Sequence, residues 1–393
     1  MRVAVNVEQL LYRPPGGIGR YTAKLVTLLP RCVPGDEVVA FTARHRAAVV
    51  AAAWKAGGGG SRAPIRLPLP RQLLYEGWNT FGLLPLARLA PELGAVDVVH
   101  APSVAVPPRS RVPLVVTVHD VATVLFPDTF GWHGRWFHAR GLAATARRAD
   151  LVITVSEAAK AEILAHTRIP EDRLRVVPNG VDNVIATPDE VAAAIDRHGL
   201  AGAPYLLWVG TLEPRKDVAT LVRAFVSLVD SGRAAGHRLV LAGPTGWLSQ
   251  NLVPGDVLDR LGNPGAGERD PLLRLLGPVE EAQLRALYAG ATLFALPSRH
   301  EGFGLPVLEA MAQGTPVVCS DIPALREVAG GAARLVPPRE VDAWTEALAA
   351  LLADPAELRR WALAGTARAA AFSWEHTVTL TRAVYAEAVA GAG

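Results

Sequence analysis

The stretch Thr292-Leu293-Phe294-Ala295-Leu296-Pro297-Ser298-Arg299-His300-Glu301-Gly302-Phe303-Gly304-Leu305-Pro306-Val307-Leu308-Glu309 decides how this chain is read. Its first five residues form an apolar, strand-like run, and Leu305 to Gln313 reads as a helix. Gly302 to Gly304 make the turn between them, and Pro316–Cys319 supplies the next strand. The N–H groups at the helix start have no intrahelical partner and face an anion with the positive end of the helix dipole. Glu301 precedes the turn, while Glu309 lies about one turn into the helix, where a carboxylate accepts hydrogen bonds from sugar hydroxyls. A pyrophosphate gripped by amides with a carboxylate on either side is a seat for a nucleotide sugar. Alone, such a Glu pair is usually a solvated helix charge. Its surroundings change that reading.

The same alternation runs through all 393 residues. In the first half the candidate strands are Arg2–Val7, Glu37–Phe41, Asp97–His100, Leu114–Val118, Leu151–Val155 and Arg173–Val177. Helical patterns such as Gly19–Leu29 and Ser156–Thr167 lie between them, with Ser156 as an N-cap. In the second half, strands at Tyr205–Val209, Arg238–Ala242, Leu272–Leu276, Thr292–Leu296 and Pro316–Cys319 alternate with helices at Asp217–Asp230, Glu280–Ala289, Leu305–Gln313 and Val341–Ala353. Apolar strands separated by helices predict parallel sheets buried on both faces. The join falls near Asn183–Gly202, giving an N-terminal domain over 1–183 and a C-terminal one over 199–373. The expected fold is α/β: two tandem doubly wound Rossmann-like domains whose parallel sheets face a central cleft, with ligands at the carboxyl ends of the strands.

Composition narrows the function. Half of the residues are hydrophobic and a fifth are charged, as in a globular protein. Apolar runs break well before the ~18 residues of a membrane span, and Asn6 and Glu8 interrupt any signal-like start. Cys32 and Cys319 are the two cysteines, which rules out a disulfide framework or a cysteine-built zinc site. The expected location is the cytoplasm. Residues 1–183 hold 22 Lys and Arg against 14 Asp and Glu (+8), and residues 184–393 hold 18 against 23 (−5). Arg135, Arg140, Arg147 and Arg148 contribute to the basic excess. A solvated face explains most such clusters; the sharper alternative is an acidic partner, a lipid pyrophosphate or the anionic inner face of a membrane contacted peripherally.

Polar and glycine-rich loops follow five strands: His119-Asp120, Gly210 to Asp217, Gly243, Gly277-Pro278 and Ser298 to Glu301. Arg215 and Lys216 after a strand-end glycine are charge-assisted donors suited to a diphosphate. Gly16-Gly17 permits close backbone approach at a helix start, or is a simple turn. No Asp-x-Asp occurs, so no metal site is expected and Arg215, Lys216 and helix amides must meet the diphosphate charge. No Ser-His-Asp set or catalytic cysteine is apparent, and no cofactor or nucleic-acid partner is expected.

Taken in order, Gly16-Gly17-Ile18-Gly19-Arg20-Tyr21, Val118-His119-Asp120, Val155-Ser156-Glu157, Val177-Pro178-Asn179-Gly180-Val181-Asp182, Val209-Gly210-Thr211-Leu212-Glu213-Pro214-Arg215-Lys216, Leu276-Gly277-Pro278-Val279 and the Glu301-to-Glu309 segment resemble the retaining glycosyltransferases of family 4, which have the GT-B fold. Within that family the chain looks most like bacterial mannosyltransferases of polysaccharide assembly. The resemblance implies a hexose moved from a nucleoside diphosphate donor, with mannose from GDP-mannose first and UDP-linked glucose, galactose or N-acetylglucosamine next. The acceptor would be a glycan, a lipid-linked or a small-molecule hydroxyl. A non-catalytic nucleotide-sugar-binding subunit is the competing class, and loss of the motif residues would favour it.

By resemblance His119 lies beside the donor sugar, bonding through side chain or backbone, and Asp120 orients nearby groups or meets the acceptor. Arg215 and Lys216 stabilise the leaving diphosphate, Glu301 holds the transferred sugar and Glu309 the ribose. Amides of Gly302, Phe303, Gly304 and Leu305 contact phosphate and sugar, and Val279 clamps the base through its main chain. Glu213 either partners Arg215 or serves near the phosphates, and Gly16, Gly17 and Gly210 complete the donor set. The resemblance further implies that residues 374–393, with a helix over Glu375–Ala390, return to the N-terminal domain.

Overall fold

The computed structural model describes residues 1–12, 16–246, 261 and 272–391. The chain forms two compact units, Met1–Gly180 with Ser373–Gly393, and Val181–Phe372. The second unit thus takes in residues 184–198, assigned above to the join. There, Thr187 accepts from Glu190 N in a capping box and starts the helix Pro188–Arg197, which packs on the helix Glu281–Gly290.

Among the described residues, the first unit holds a sheet of seven parallel strands: β1 (Arg2–Asn6), β2 (Glu37–Thr42), β3 (Ile65–Arg66), β4 (Val98–Ala101), β5 (Leu114–Thr117), β6 (Leu151–Thr154) and β7 (Leu174–Val176), in the order β3-β2-β1-β4-β5-β6-β7. β4, β5 and β6 are buried at every position, which requires cover on both faces. The helix Gly16–Cys32 buries Tyr21, Leu25, Val26 and Leu29, spaced for one helical face. The last helix, Trp374–Ala390, lies against it and against β4 to β6.

The second unit's sheet also has only parallel pairs: β8 (Tyr205–Val209), β9 (Arg238–Ala242), β10 (Leu273–Gly277), β11 (Leu293–Leu296), β12 (Val317–Ser320) and β13 (Arg334–Val336), ordered β10-β9-β8-β11-β12-β13. Its helices bury apolar stripes such as Leu221, Val222, Phe225 and Leu228 in Val218–Asp230. Strand order reverses between β1 and β4 in one sheet and between β8 and β11 in the other. At such switch points the loops leaving neighbouring strands diverge and open a crevice at the carboxyl ends.

Candidate functional site

The loops after β8 and β11 meet at the second unit's switch point. After Val209 the chain runs through Gly210 to Glu213, makes a single 3-10 turn over Pro214–Lys216, and begins the helix Val218–Asp230 from Asp217 with φ at +48°. After Leu296 it runs through Ser298 to Gly304 into the helix Leu305–Ala312. Arg299 N donates to Arg215 O at 2.8 Å, which ties one loop to the other. Gly304 turns into the helix at φ +112°, a conformation open to glycine, and a Cβ there would lie 2.6 Å from Leu325.

This geometry assembles the predicted charges into one buried cluster. Lys216 Nζ donates to both carboxylate oxygens of Glu301, at 2.6 and 2.8 Å, and Ser298 Oγ donates to Glu301 Oε1 at 2.7 Å. The Arg215 guanidinium reaches Glu213 at 2.7 Å, Glu301 at 3.5 Å and the His300 carbonyl at 3.1 Å. Glu213, Lys216 and Glu301 are all buried. Burial alone would raise the Glu301 carboxyl, but the charges of Lys216 and Arg215, with bonds from Lys216 and Ser298, outweigh it and hold the carboxyl below its usual value.

Arg215 and Lys216, expected to meet a diphosphate, and Glu301, expected to hold the transferred sugar, are thus brought to one place. Here they engage one another, because charges withdrawn from water must be paired. Glu213 is the ion-pair partner of Arg215. Ser298, named above only as part of a strand-end loop and given no role there, completes the cluster as a donor to Glu301.

Around this cluster the strands end on backbone. Gly210 N donates to Ala242 O at 3.0 Å and Gly243 N to Gly277 O at 2.8 Å, so the glycines after β8 and β9 and at the end of β10 sit side by side. Gly243 has φ +140°, and a Cβ there would lie 1.8 Å from Gly210 O. Val279 follows, half-buried. Glu309 is half-buried, one turn into its helix, and accepts from Tyr288 Oη at 2.9 Å. Pro306 at the second helical position removes one amide from the helix start, leaving Leu305 among the expected donors. Gly302 and Phe303 are buried, and the Phe303 ring packs edge-on to Phe372 at 6.0 Å.

The other candidates lie in the first unit. His119 and Asp120 leave β5; the His119 Nε2–H donates to Pro102 O at 3.0 Å, just after β4. Its edge meets the Tyr21 ring at 5.1 Å. Burial lowers the His119 pKa, against opposing effects of the Pro102 carbonyl and Asp120, so the neutral ring has its lone pair on Nδ1. Asp120 accepts from Ala122 N at 2.9 Å. Gly16, at φ +62°, and Gly17 open the helix Gly16–Cys32. Two further polar groups escaped sequence reasoning. Glu8, at the carboxyl end of β1, is buried and accepts from Thr42 at 2.5 Å, His45 at 2.8 Å and Tyr75 at 2.9 Å. His100 on β4 bonds Thr117 at 2.8 Å and Tyr385 of the last helix at 2.6 Å. Among the described residues no group of three or more His, Cys, Asp or Glu is placed to hold a metal ion, and no helix is long and apolar enough to cross a membrane.

Comparison with known proteins gives this geometry its context. The family description "Glycosyltransferase Family 4" matches residues 15–183, and "Glycosyl transferases group 1" matches residues 203–354. The chain is 32% identical to O-antigen chain mannosyltransferase B of Escherichia coli over 98% of its own length and 99% of the relative's. It is 32% identical to MMP alpha-(1->4)-mannosyltransferase of Mycolicibacterium hassiacum over 83% of each chain. Among solved structures, sucrose-phosphate synthase from Thermosynechococcus elongatus superposes with a TM-score of 0.74 at 22% identity, covering 100% of both chains. Anabaena Alr3699/HepE in complex with UDP and glucose gives 0.72 at 19%, again over 100% of both. With both halves matched and a relative aligned from end to end, this chain belongs to glycosyltransferase family 4 and has the GT-B fold.

Proposed function

We propose that this protein moves a hexose from a nucleoside diphosphate donor to a hydroxyl of a glycan, lipid-linked or small-molecule acceptor, retaining the α configuration and using no metal ion. The observation that carries the reading is the Lys216–Glu301 pair, with Arg215 beside it, at the switch point of the second sheet. A diphosphate entering there would compete with Glu301 for Lys216 and Arg215. The carboxylate freed by that exchange would turn to the hydroxyls of the transferred sugar. Glu309 serves the ribose, and the Gly302–Leu305 backbone the phosphate and sugar. His119 and Asp120 act on the donor-sugar side. Two cations and a helix start neutralise the leaving diphosphate, the work a divalent ion does elsewhere. The leaving phosphate oxygen takes the acceptor proton. Mannose from GDP-mannose is the preferred donor in this reading, supported by the mannosyltransferases aligned over 98% and 83% of this chain.

A panel of nucleotide sugars tests it by thermal stabilisation and turnover. A donor at 100 times its Kd should stabilise by about 2.7 kcal/mol, with GDP-mannose first. Preference for a UDP sugar would replace the donor and leave the reaction class intact. No response to any nucleotide sugar would overturn the reading. Activity should persist in excess EDTA; its loss, with rescue by Mg²⁺ or Mn²⁺, would refute the metal-free part.

A further inference from the structure

We propose that Tyr21 is a positioning residue for His119, held in place by one buried chain of hydrogen bonds that leaves the last helix, crosses β4 and β5 and returns to that helix. This rests on the reading above, in which His119 serves the donor-sugar side. Tyr21 stands on the helix Gly16–Cys32, 1% exposed, with its ring beside two histidines. The His119 ring meets it at 5.1 Å and 83°, the His100 ring at 6.3 Å and 88°. The bond from His119 Nε2–H to Pro102 O holds the same imidazole at a second point. Turning that ring would take its edge off the tyrosine face and break the bond to the carbonyl. Tyr21 and Pro102 O together thus select one orientation and one tautomer of His119.

What holds Tyr21 is a chain with a fixed direction. Tyr385 Oη lies 2.6 Å from His100 Nδ1, and His100 Nε2 lies 2.8 Å from Thr117 Oγ1. Thr117 Oγ1 is 3.3 Å from Tyr21 Oη. The Tyr21 hydroxyl is also bonded to Thr381 of the last helix, which donates to Thr377 O at 2.8 Å. All five side chains are buried. Burial raises the Tyr21 hydroxyl to about 12, and burial with the neighbouring His119 lowers His100 to about 3, so neither is ionised near neutral pH. Each hydroxyl then has one proton to give, as does the neutral imidazole. The Thr377 carbonyl can only accept. Thr381 gives it its proton and must accept from Tyr21; Tyr21 in turn accepts from Thr117, Thr117 from His100 Nε2–H, and His100 Nδ1 from Tyr385. Leaving a member of such a buried network unpaired is costly. The Tyr21 hydroxyl is therefore gripped from β5 and from the last helix, and its ring cannot leave His119 without breaking both bonds.

The test joins histidine ring ¹⁵N spectra of the full chain to kinetics on the nucleotide sugar that the donor panel selects. In the wild type, His100 and His119 should both be neutral Nε2–H tautomers, their signals assigned by loss in His100→Asn and His119→Asn. Tyr21→Leu should mix the His119 tautomers and lower kcat about 100-fold, the order expected for a misplacement of about 1 Å, with donor KM unchanged. Tyr21→Phe keeps the ring and should recover most of that loss. Thr381→Val, nearly isosteric and on the last helix, should lower kcat about two- to tenfold, the worth of one buried hydrogen bond; it keeps the test open should Tyr21→Leu not fold. Leu25→Ala, one turn along from Tyr21 and also 1% exposed, is the control. It should lower the melting temperature and leave kcat unchanged. An Nδ1–H tautomer at His100, or wild-type kcat in Thr381→Val, would overturn the chain. Wild-type kcat in Tyr21→Leu, or an equal loss in Leu25→Ala, would overturn the positioning role. If no nucleotide sugar is turned over, the reading above fails, and the His119 tautomers of wild type and Tyr21→Leu still decide whether Tyr21 orients that ring.

Discussion

Lys216 Nζ sits between the two carboxylate oxygens of Glu301, 2.6 and 2.8 Å away, although 85 residues separate the two side chains in sequence. Removing one member of a buried pair strands the other, at a cost of about 3–5 kcal/mol. Lys216→Met should therefore lower unfolding stability by that order as well as weaken donor binding. Combining it with Glu301→Gln should cost less than the two single changes added together. Urea unfolding of the four proteins measures the coupling. Additivity within about 0.5 kcal/mol would show that the pair is not a unit.

The two units should respond differently to acid. Burial first, then the neighbouring His119, pushes His100 down to about 3. In the unfolded chain a histidine titrates near 6.5. Below that pH the unfolded state takes up a proton that folded His100 refuses. The stability it contributes is complete above about pH 6.5 and is lost as pH falls toward 3, at about 1.4 kcal/mol per pH unit. His119 and His138 in the same unit are lowered with the same sign, against His237, also lowered, in the second unit. The Glu301 carboxyl is depressed, so its contribution is present above the ordinary carboxylate range and fades only as pH drops through its lower folded value. Hydrogen exchange at pH 7 and pH 5 should show β4 to β6 losing more protection than β8, β9, β11 and β12. His100→Asn should reduce the difference. Equal losses in both units would contradict it.

Gly243 gives a sharper steric test. Its φ of +140° and the 1.8 Å gap between a built Cβ and Gly210 O leave no room for alanine without parting β8 from β9. Gly243→Ala should cost at least about 3 kcal/mol, through backbone strain and overpacking together. Gly236→Ala is the control, since Gly236 has φ +73° but open space around it. It should cost about 1–2 kcal/mol. Similar melting temperatures for the two variants would argue against the strand-end packing described above.

How much was legible follows from where the signals lie. Strands buried on both faces are largely apolar, so β8 and β9 were bounded to the residue, and the other expected strands differ by one residue at one or both ends. β3 is two residues long, too short for any period to show. The helix Trp132–Arg148 was missed because its outward face carries Trp132 and Trp136, which blurs the apolar stripe. Thr187-Pro188-Asp189-Glu190 announced a helix start, and the signal went unused because it fell where a linker was expected. Loop residues of the site could be named from their places at strand ends. Their mutual pairing could not, since contact between Lys216 and Glu301, or between His100 and Tyr385, is a property of topology.

The last helix is the clearest case of such long-range dependence. It packs on the helix Gly16–Cys32 and on β4, β5 and β6. Tyr385 Oη bonds His100 Nδ1 at 2.6 Å, Thr377 donates to Pro178 O at 2.8 Å, and Arg382 reaches the buried carboxylate of Asp36 at 2.5 Å. Trp374, Val378, Val384 and Tyr385 are buried in the contact. Removing residues 374–393 would open the helix side of the sheet to water and leave His100 without one of its two partners. Asp36 would keep only the Met1 ammonium among these contacts. Losing several buried large side chains at about 1.5–3 kcal/mol each matches or exceeds the usual stability of a whole domain. The truncated protein should therefore lose exchange protection throughout β1 and β4 to β6, and its activity, while β8, β9, β11 and β12 keep theirs. Unchanged protection in the strands before residue 180 would refute the structural role assigned to this helix.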